Sequence, residues 1–435
     1  MKIEVGKELL IVQGMTPEED PWGAYQFPHP YRLADGRIAV AVHVSADDIK
    51  SFGNTNRWFV SSDNGESFSE ADPSIDAECG TLLANGDRLY FPPESGFSVS
   101  NYKEPPFAMR TPGYDTSKRA EEGTLPLPDG ITAWWGGSTT IKAYNADRLP
   151  PSLAAKVWRA KLIKAGADTP EEIFVNVNWP YLTRVVFSSK KFDNILKPIF
   201  PRGPVKRGPD GALWLSTYSG EGHLTPKNGQ YSPYYSAEMF RSDDEGMNWT
   251  LHAHMEYPAD GDEYPYLSGG FSDSDFEFMP DGSMVWFFRS AWYGSTTWEW
   301  APMYMSRSTD MGRTWSKPAV FAHTGILPRL CRLACGATLI CYARPGIFIQ
   351  GSCDKSGSVW SDPVVVMTPE DRSHLANIKI DTPTFHQWDG ACNNPELLML
   401  DDNSAMLFYS DFYYPDSAGV KRKSILCRKI TVHLP

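Results

Sequence analysis

A short pattern, Ser-x-Asp-x-Gly-x-x-aromatic, recurs along this chain and restricts its fold more than any other feature. Ser61, Asp63, Gly65 and Phe68 form one copy, Ser242, Asp244, Gly246 and Trp249 a second, and Ser308, Asp310, Gly312 and Trp315 a third. Ser352, Asp354, Gly357 and Trp360 form a fourth, with one extra residue before the glycine. The physics is that of a turn between strands. Short Ser and Asp side chains bond the turn's own amides, Gly takes a positive φ, and the aromatic folds back over the loop. Upstream of most copies an apolar run opens on a second turn: 34–42, 209–216 and 280–288 with Asp-Gly, then 334–342 and 401–409. A hairpin followed by an outer hairpin is the signature of a four-stranded propeller blade.

Composition agrees. Of 435 residues 13% are aromatic, and 35 Gly with 35 Pro punctuate the chain throughout, which excludes a helical bundle. With 41% hydrophobic and 22% charged residues, a disordered chain is also excluded. Acidic residues outnumber basic ones, 53 to 41, for a formal charge of −12, and no basic run offers a surface for phosphates, so nucleic acid is not an expected partner. No window approaches a membrane span. The opening MKIEVGKELLIVQG interleaves charges with apolar residues and reads as a strand, not a signal peptide, so a cytoplasmic protein is expected. Six of the seven cysteines (Cys331, Cys335, Cys341, Cys353, Cys392, Cys427) lie in the last third, mostly in apolar runs, as reduced small hydrophobes would. Cys331 and Cys335, four apart, lack the His or CxxC that would complete a metal site, and His252 with His254 lack a third ligand. No metal or cofactor is expected.

The four turns resemble the Asp-box repeats of the sialidase superfamily, over nearly the whole chain. The resemblance implies an all-β, six-bladed propeller in a single domain, 1–435, with the Asp boxes on the blade periphery. Blades are expected near 20–70, 75–200, 201–255, 265–320, 323–365 and 380–435, with the N-terminal strand 1–12 closing the ring. The second unit is long enough to hide a seventh blade. It also contains 149–167, where Leu153, Ala154, Val157, Ala160 and Leu162 are spaced as on a helix, so a helical insertion is expected there.

Sialidases grip a carboxylate with three arginines, protonate the leaving group with an aspartate and attack with a tyrosine activated by a glutamate. The resemblance, carried over with the Asp-Gly turn as anchor, puts Asp273 at the glutamate position and Arg289 at one arginine. Arg344, in Arg-Pro-Gly at the end of a strand, matches another; Asp47 or Asp48 falls in the loop of the acid. Two positions depart from the pattern. Gln26 stands where the first arginine belongs and Asn394 where the tyrosine belongs, so the covalent step of a retaining sialidase lacks its nucleophile.

What is left is a rebuilt site. His29 is held between Pro28 and Pro30 at a blade start, and some related propellers that cleave rhamnose–glucuronate linkages rely on histidine. Tyr264 or Tyr266, just before Asp273, is a candidate replacement donor or nucleophile. Trp134, Trp135, Trp292 and Trp298 lie in loops, where indole faces suit the CH faces of pyranose rings, whereas Trp249, Trp315 and Trp360 belong to inter-blade packing. The reading is an exo-acting glycoside hydrolase that takes a terminal acidic sugar of an oligosaccharide through Arg289 and Arg344. A lyase or rhamnosidase acting through His29 and a non-catalytic glycan-binding propeller are the alternatives.

Overall fold

The fold is that of a computed structural model. It describes residues 1–19, 23–45, 56–91, 97–98, 109–112, 140–145, 151–152, 159–167, 169–178, 182–188, 195–196, 204–218, 223–224, 231–232, 236–258, 268–291, 302–322, 325–343, 346–367 and 394–435.

Six antiparallel sheets form the ring of a six-bladed β-propeller. Blade 1 runs Gln26–Arg32, Ile38–His43, Asn56–Ser61 and Ser69–Ala71. Blade 2 holds Thr81–Leu82, Arg88–Tyr90, Arg159–Ile163 and Glu171–Phe174; blade 3 holds Lys206–Arg207, Leu213–Tyr218, Ala237–Ser242 and Asn248–Met255, with Asn176–Asn178 added in parallel at its rim. Blades 4 and 5 span Ser268–Ala322 and Ile326–Met367. Blade 6 is built of Glu396–Asp401, Ser404–Pro415 and Lys421–His433, and its fourth strand is Lys2–Gln13, paired antiparallel with the last strand of the chain. The first strands of blades 4, 5, 6 and 1 contact one another in sequence, which makes them the inner wall.

One hairpin is repeated in five blades, where the last paired residue of the inner strand faces the residue six positions on: Arg32↔Ile38, Leu82↔Arg88, Arg207↔Leu213, Phe278↔Met284 and Arg332↔Thr338. Blade 6 holds the equivalent pair, Met399↔Ala405, and then shifts register to pair Asp401 with Ser404 in a tighter turn. At these equivalent positions arginine alternates with an apolar residue. Each arginine donates to the carbonyl of its equivalent one blade back: Arg32 to Met399 O at 2.9 Å, Arg207 to Leu82 O at 3.1 Å and Arg332 to Phe278 O at 3.1 Å. Three guanidinium staples thus join the blades in pairs, giving this end of the ring a threefold pattern.

The serine–aspartate turns lie at the same end, because the first and third strands of every blade run toward it. In the second copy Ser242 Oγ donates to Asp244 at 2.9 Å and accepts from Gly246 N–H at 2.9 Å, while Trp249 Nε1 closes the turn on Gly246 O at 2.8 Å. Ser61 and Ser308 build the same turn. In the fourth copy the extra residue changes the pattern: Ser352 Oγ donates to the Asp354 carbonyl, yet Trp360 Nε1 still reaches Gly357 O at 2.9 Å. Gly246 needs to be glycine twice over, since φ is +85° and a Cβ would come within 2.3 Å of Leu89 in the preceding blade.

Hydrophobic clusters fill each seam between blades. Trp214, Phe271, Phe276 and Trp286 pack blades 3 and 4; Leu339, Cys341, Leu407 and Leu426 pack blades 5 and 6; Ile38, Val40 and Phe408 pack blades 6 and 1. The helix expected over 149–167 does not extend to the end of that stretch. Arg159–Ile163 is the third strand of blade 2, with Ala160 and Leu162 turned inward and Lys161 bonded to Asp76 at 3.1 Å. Among the described residues there only Pro151 and Ser152 are helical. Pairing with Arg88–Tyr90 and Glu171–Phe174 selects the twofold alternation over the helical spacing. The excess length of the second unit goes into a separate five-stranded sheet, Phe97–Ser98, Ile195–Leu196, Leu182–Ser188, Thr140–Asn145 and Met109–Pro112, not into a seventh blade of the ring.

Candidate active site

The other end of the inner strands shows no such repetition. Three of these strands carry a bulge near their start, between Gln26 and His29, between Ser272 and Ser274, and between Ile326 and Arg329. A bulge re-aims the side chains beside it. In blades 1 and 5 it is made the same way: Phe27 and Leu327 take positive φ (51° and 49°), each is followed by proline, and the next residue is His29 or Arg329. In blade 4 the bulged residue is Asp273.

Asp273 and Arg289, both buried, meet there. Arg289 Nη1 donates to Asp273 Oδ2 at 2.5 Å, and Arg289 faces Ser272 across the ladder. Next along the wall, Arg329 Nε donates to Glu396 Oε1 at 2.6 Å, bridging blades 5 and 6. Burial pulls the Arg329 guanidinium down, but Glu396, Asp275 and Asp273 more than restore it, so the cation is secure. Burial also raises the Glu396 carboxyl above the usual carboxylate range, against the pull of Arg329. Asp275 has its own partner. Lys206 of blade 3 lies 3.1 Å from Asp275 and 3.1 Å from Glu277, and these carboxylates keep its buried ammonium protonated.

His29 lies in the field of Arg329. Desolvation, then the charges of Arg329 and His43, lower its pKa to about 4, so the imidazole is neutral at pH 7, with one ring nitrogen free to accept a proton and the other an N–H. Beside it Gln26 and Asn394, 0% and 4% exposed, meet across the seam of blades 1 and 6, Asn394 Nδ2 donating to Gln26 Oε1 at 3.3 Å. His43, paired with Gln26 in the ladder, is buried and 3.3 Å from Ser45 Oγ.

The structure therefore brings together Asp273 with Arg289 and Gln26 with Asn394, and places His29 beside Arg329. Asp47, Asp48, Tyr264, Tyr266, Arg344, Trp134, Trp135, Trp292 and Trp298 lie outside the described residues. His252 and His254 are engaged elsewhere in blade 3, His252 with the Met311 carbonyl at 2.8 Å and His254 with Glu238 at 3.6 Å. Among the described residues no group of three His, Cys, Asp or Glu is placed to hold a metal ion. Sequence reasoning missed Arg329, Glu396 and Lys206. A signal for Arg329 was present: Arg32-Leu33-Ala34-Asp35-Gly36 and Arg332-Leu333-Ala334-Cys335-Gly336 are one repeat, and aligning them sets Pro328-Arg329 on Pro28-His29.

No family model and no curated protein sequence matches the chain. Among solved structures it is similar to a protein of unknown function from Dyadobacter fermentans, with 14% identity and a TM-score of 0.54 over 99% of both chains. It is also similar to the Hadza microbial sialidase Hz136, with 13% identity and a TM-score of 0.45 over 94% of this chain and 66% of that one. The α-L-arabinofuranosidase Arb93A from Fusarium graminearum gives 11% and 0.41 over 97% of this chain and 98% of that one. The first likeness is one of fold alone; the other two scores carry no argument. The chemistry of this chain rests on its own residues.

Proposed function

We propose that the protein is an exo-acting glycoside hydrolase of a terminal acidic sugar. The observation that carries this reading is the buried Arg329–Glu396 pair, set between the Asp273–Arg289 pair and a neutral His29 at the end of the ring where the inner strands lose their symmetry. Buried ionisable groups are costly, and a propeller wall needs none of them for packing. Asp273 is paired with Arg289, Asp275 with Lys206 and Arg329 with Glu396, whose carboxyl burial pushes above its usual range. A sugar carboxylate would take a forked contact from Arg329, reinforced by Arg289 and Arg344.

In this reading Glu396 gives its proton to the leaving oxygen. An ionised carboxylate, Asp273 or Asp47 or Asp48, activates water on the opposite face, as in inverting glycosidases. No cofactor enters these steps, and an acidic oligosaccharide is the partner. The test is a panel of aryl glycosides of acidic and neutral sugars, assayed with wild type, Glu396→Gln and Asp273→Asn. Acidic glycosides turned over, with loss in both variants, support the reading; a preference for neutral glycosides overturns it.

One observation favours elimination as a second reading. Neutral His29 beside Arg329 is suited to removing the proton α to a carboxylate that the arginine neutralises. An unsaturated, ultraviolet-absorbing product identifies that reaction, and affinity without turnover identifies a glycan-binding propeller.

A further inference from the structure

The Gln26–Asn394 contact uses only half of each amide. Gln26 Nε2 and Asn394 Oδ1 are buried and have no hydrogen-bond partner among the described residues. Turning both amides over leaves the same surplus, one N–H donor and one carbonyl acceptor side by side. Leaving two such groups unsatisfied costs about 1–3 kcal/mol each, so a native seam built this way calls for a group to complete it. The backbone is committed to the arrangement as well. Tyr25 and Phe27, on either side of Gln26, both hold left-handed φ (54° and 51°), a conformation that non-glycine residues adopt at a cost and that clusters at functional sites.

The chemistry of the complementary group follows from the surplus. A carboxylate only accepts, and would meet the amide oxygen with repulsion. A hydroxyl both donates and accepts, and satisfies the pair with one oxygen. On the blade 1 side lie His29, neutral at pH 7, and His43, 3.3 Å from Ser45 Oγ, in contrast to the paired ionic groups Asp273, Arg289, Arg329 and Glu396. We infer that the seam between blades 1 and 6 is a subsite for a sugar hydroxyl, read by Gln26 and Asn394 together, while the acidic group of the same sugar lies on the arginine side. This orientation rests on the acidic-sugar reading above.

The test reads the side-chain amide signals of Gln26 and Asn394 by ¹⁵N nuclear magnetic resonance, assigned with Gln26→Met and Asn394→Leu. The probes are methyl β-D-glucopyranoside, which offers hydroxyls alone, and methyl β-D-glucopyranosiduronate, which adds a carboxylate. Both are expected to shift both amide signals, and each variant to weaken binding of either probe about tenfold, the worth of one buried hydrogen bond. Unmoved amide signals with other signals shifting overturn the subsite and leave the acidic-sugar reading in place. Movement with the glucuronide alone also overturns it, by placing the carboxylate at the seam. No response to either probe overturns it too, and the acidic-sugar reading then stands or falls on the turnover panel.

Discussion

The two ends of the same inner strands obey different rules. At the hairpin end, an equivalent rung recurs in all six blades, and arginines 32, 207 and 332 staple blades 1, 3 and 5 each to the blade before it. At the other end the equivalent rungs hold unlike residues: Gln26 with His43, Ser272 with Arg289, Ile326 with Ala343. Repetition is what a closed ring requires of a structural element, since each seam must be filled the same way. Departure from repetition, when it puts buried charge on the axis, calls for a different cause. We propose that stability rests on the first end and chemistry on the second.

The sharpest way to break that assignment is to damage the hairpin end. Trp249 is 2% exposed and closes its turn on Gly246. Trp249→Ala is expected to cost about 3–5 kcal/mol in denaturant unfolding while turnover per folded molecule stays unchanged. The three staples come next. Each is a partly exposed, charged donor to a carbonyl, so Arg32→Ala, Arg207→Ala and Arg332→Ala are expected to cost about 1 kcal/mol each. They share no partner, so their effects should add to about 3 kcal/mol in the triple variant. A triple variant as stable as wild type would remove the threefold staple from the account.

The open end predicts a smaller effect that depends on pH. Folded His29 titrates at about 4 and the unfolded residue near 6.5, so between these values the unfolded chain binds more protons. Stability is therefore complete above pH 6.5 and declines as pH falls to about 4, with His29 contributing on the order of 2 kcal/mol. His254, also lowered to about 4 by burial, acts in the same window. Thermal unfolding of His29→Gln from pH 4 to 7 isolates the share of His29. The slope should flatten, and an unchanged slope would mean that His29 is not held neutral.

Most of the hairpin end was legible in the sequence because turns are local: Asp-Gly and Ser-x-Asp-x-Gly declare themselves within eight residues, and their spacing implies the ring. The open end was legible only in part. Asp273, Arg289, Gln26, Asn394 and His29 were each singled out as candidates, but not who meets whom, because the bulges that re-aim Asp273 and His29 follow from pairing between strands. Arg329 was hidden in a strand with a different sequence, and the Arg329–Glu396 bridge spans two blades. Over 159–163 the apolar spacing fitted a helix, and sheet pairing distant in sequence overrode it.

The most direct test of the division between the two ends compares Asp273→Asn with the triple staple variant in turnover of an aryl glycoside of an acidic sugar, normalised to folded protein. The account predicts a loss on the order of 10²-fold or more for Asp273→Asn and a rate within about twofold of wild type for the staple variant. Full activity in Asp273→Asn, or loss of activity in staple variants that remain folded, would contradict it.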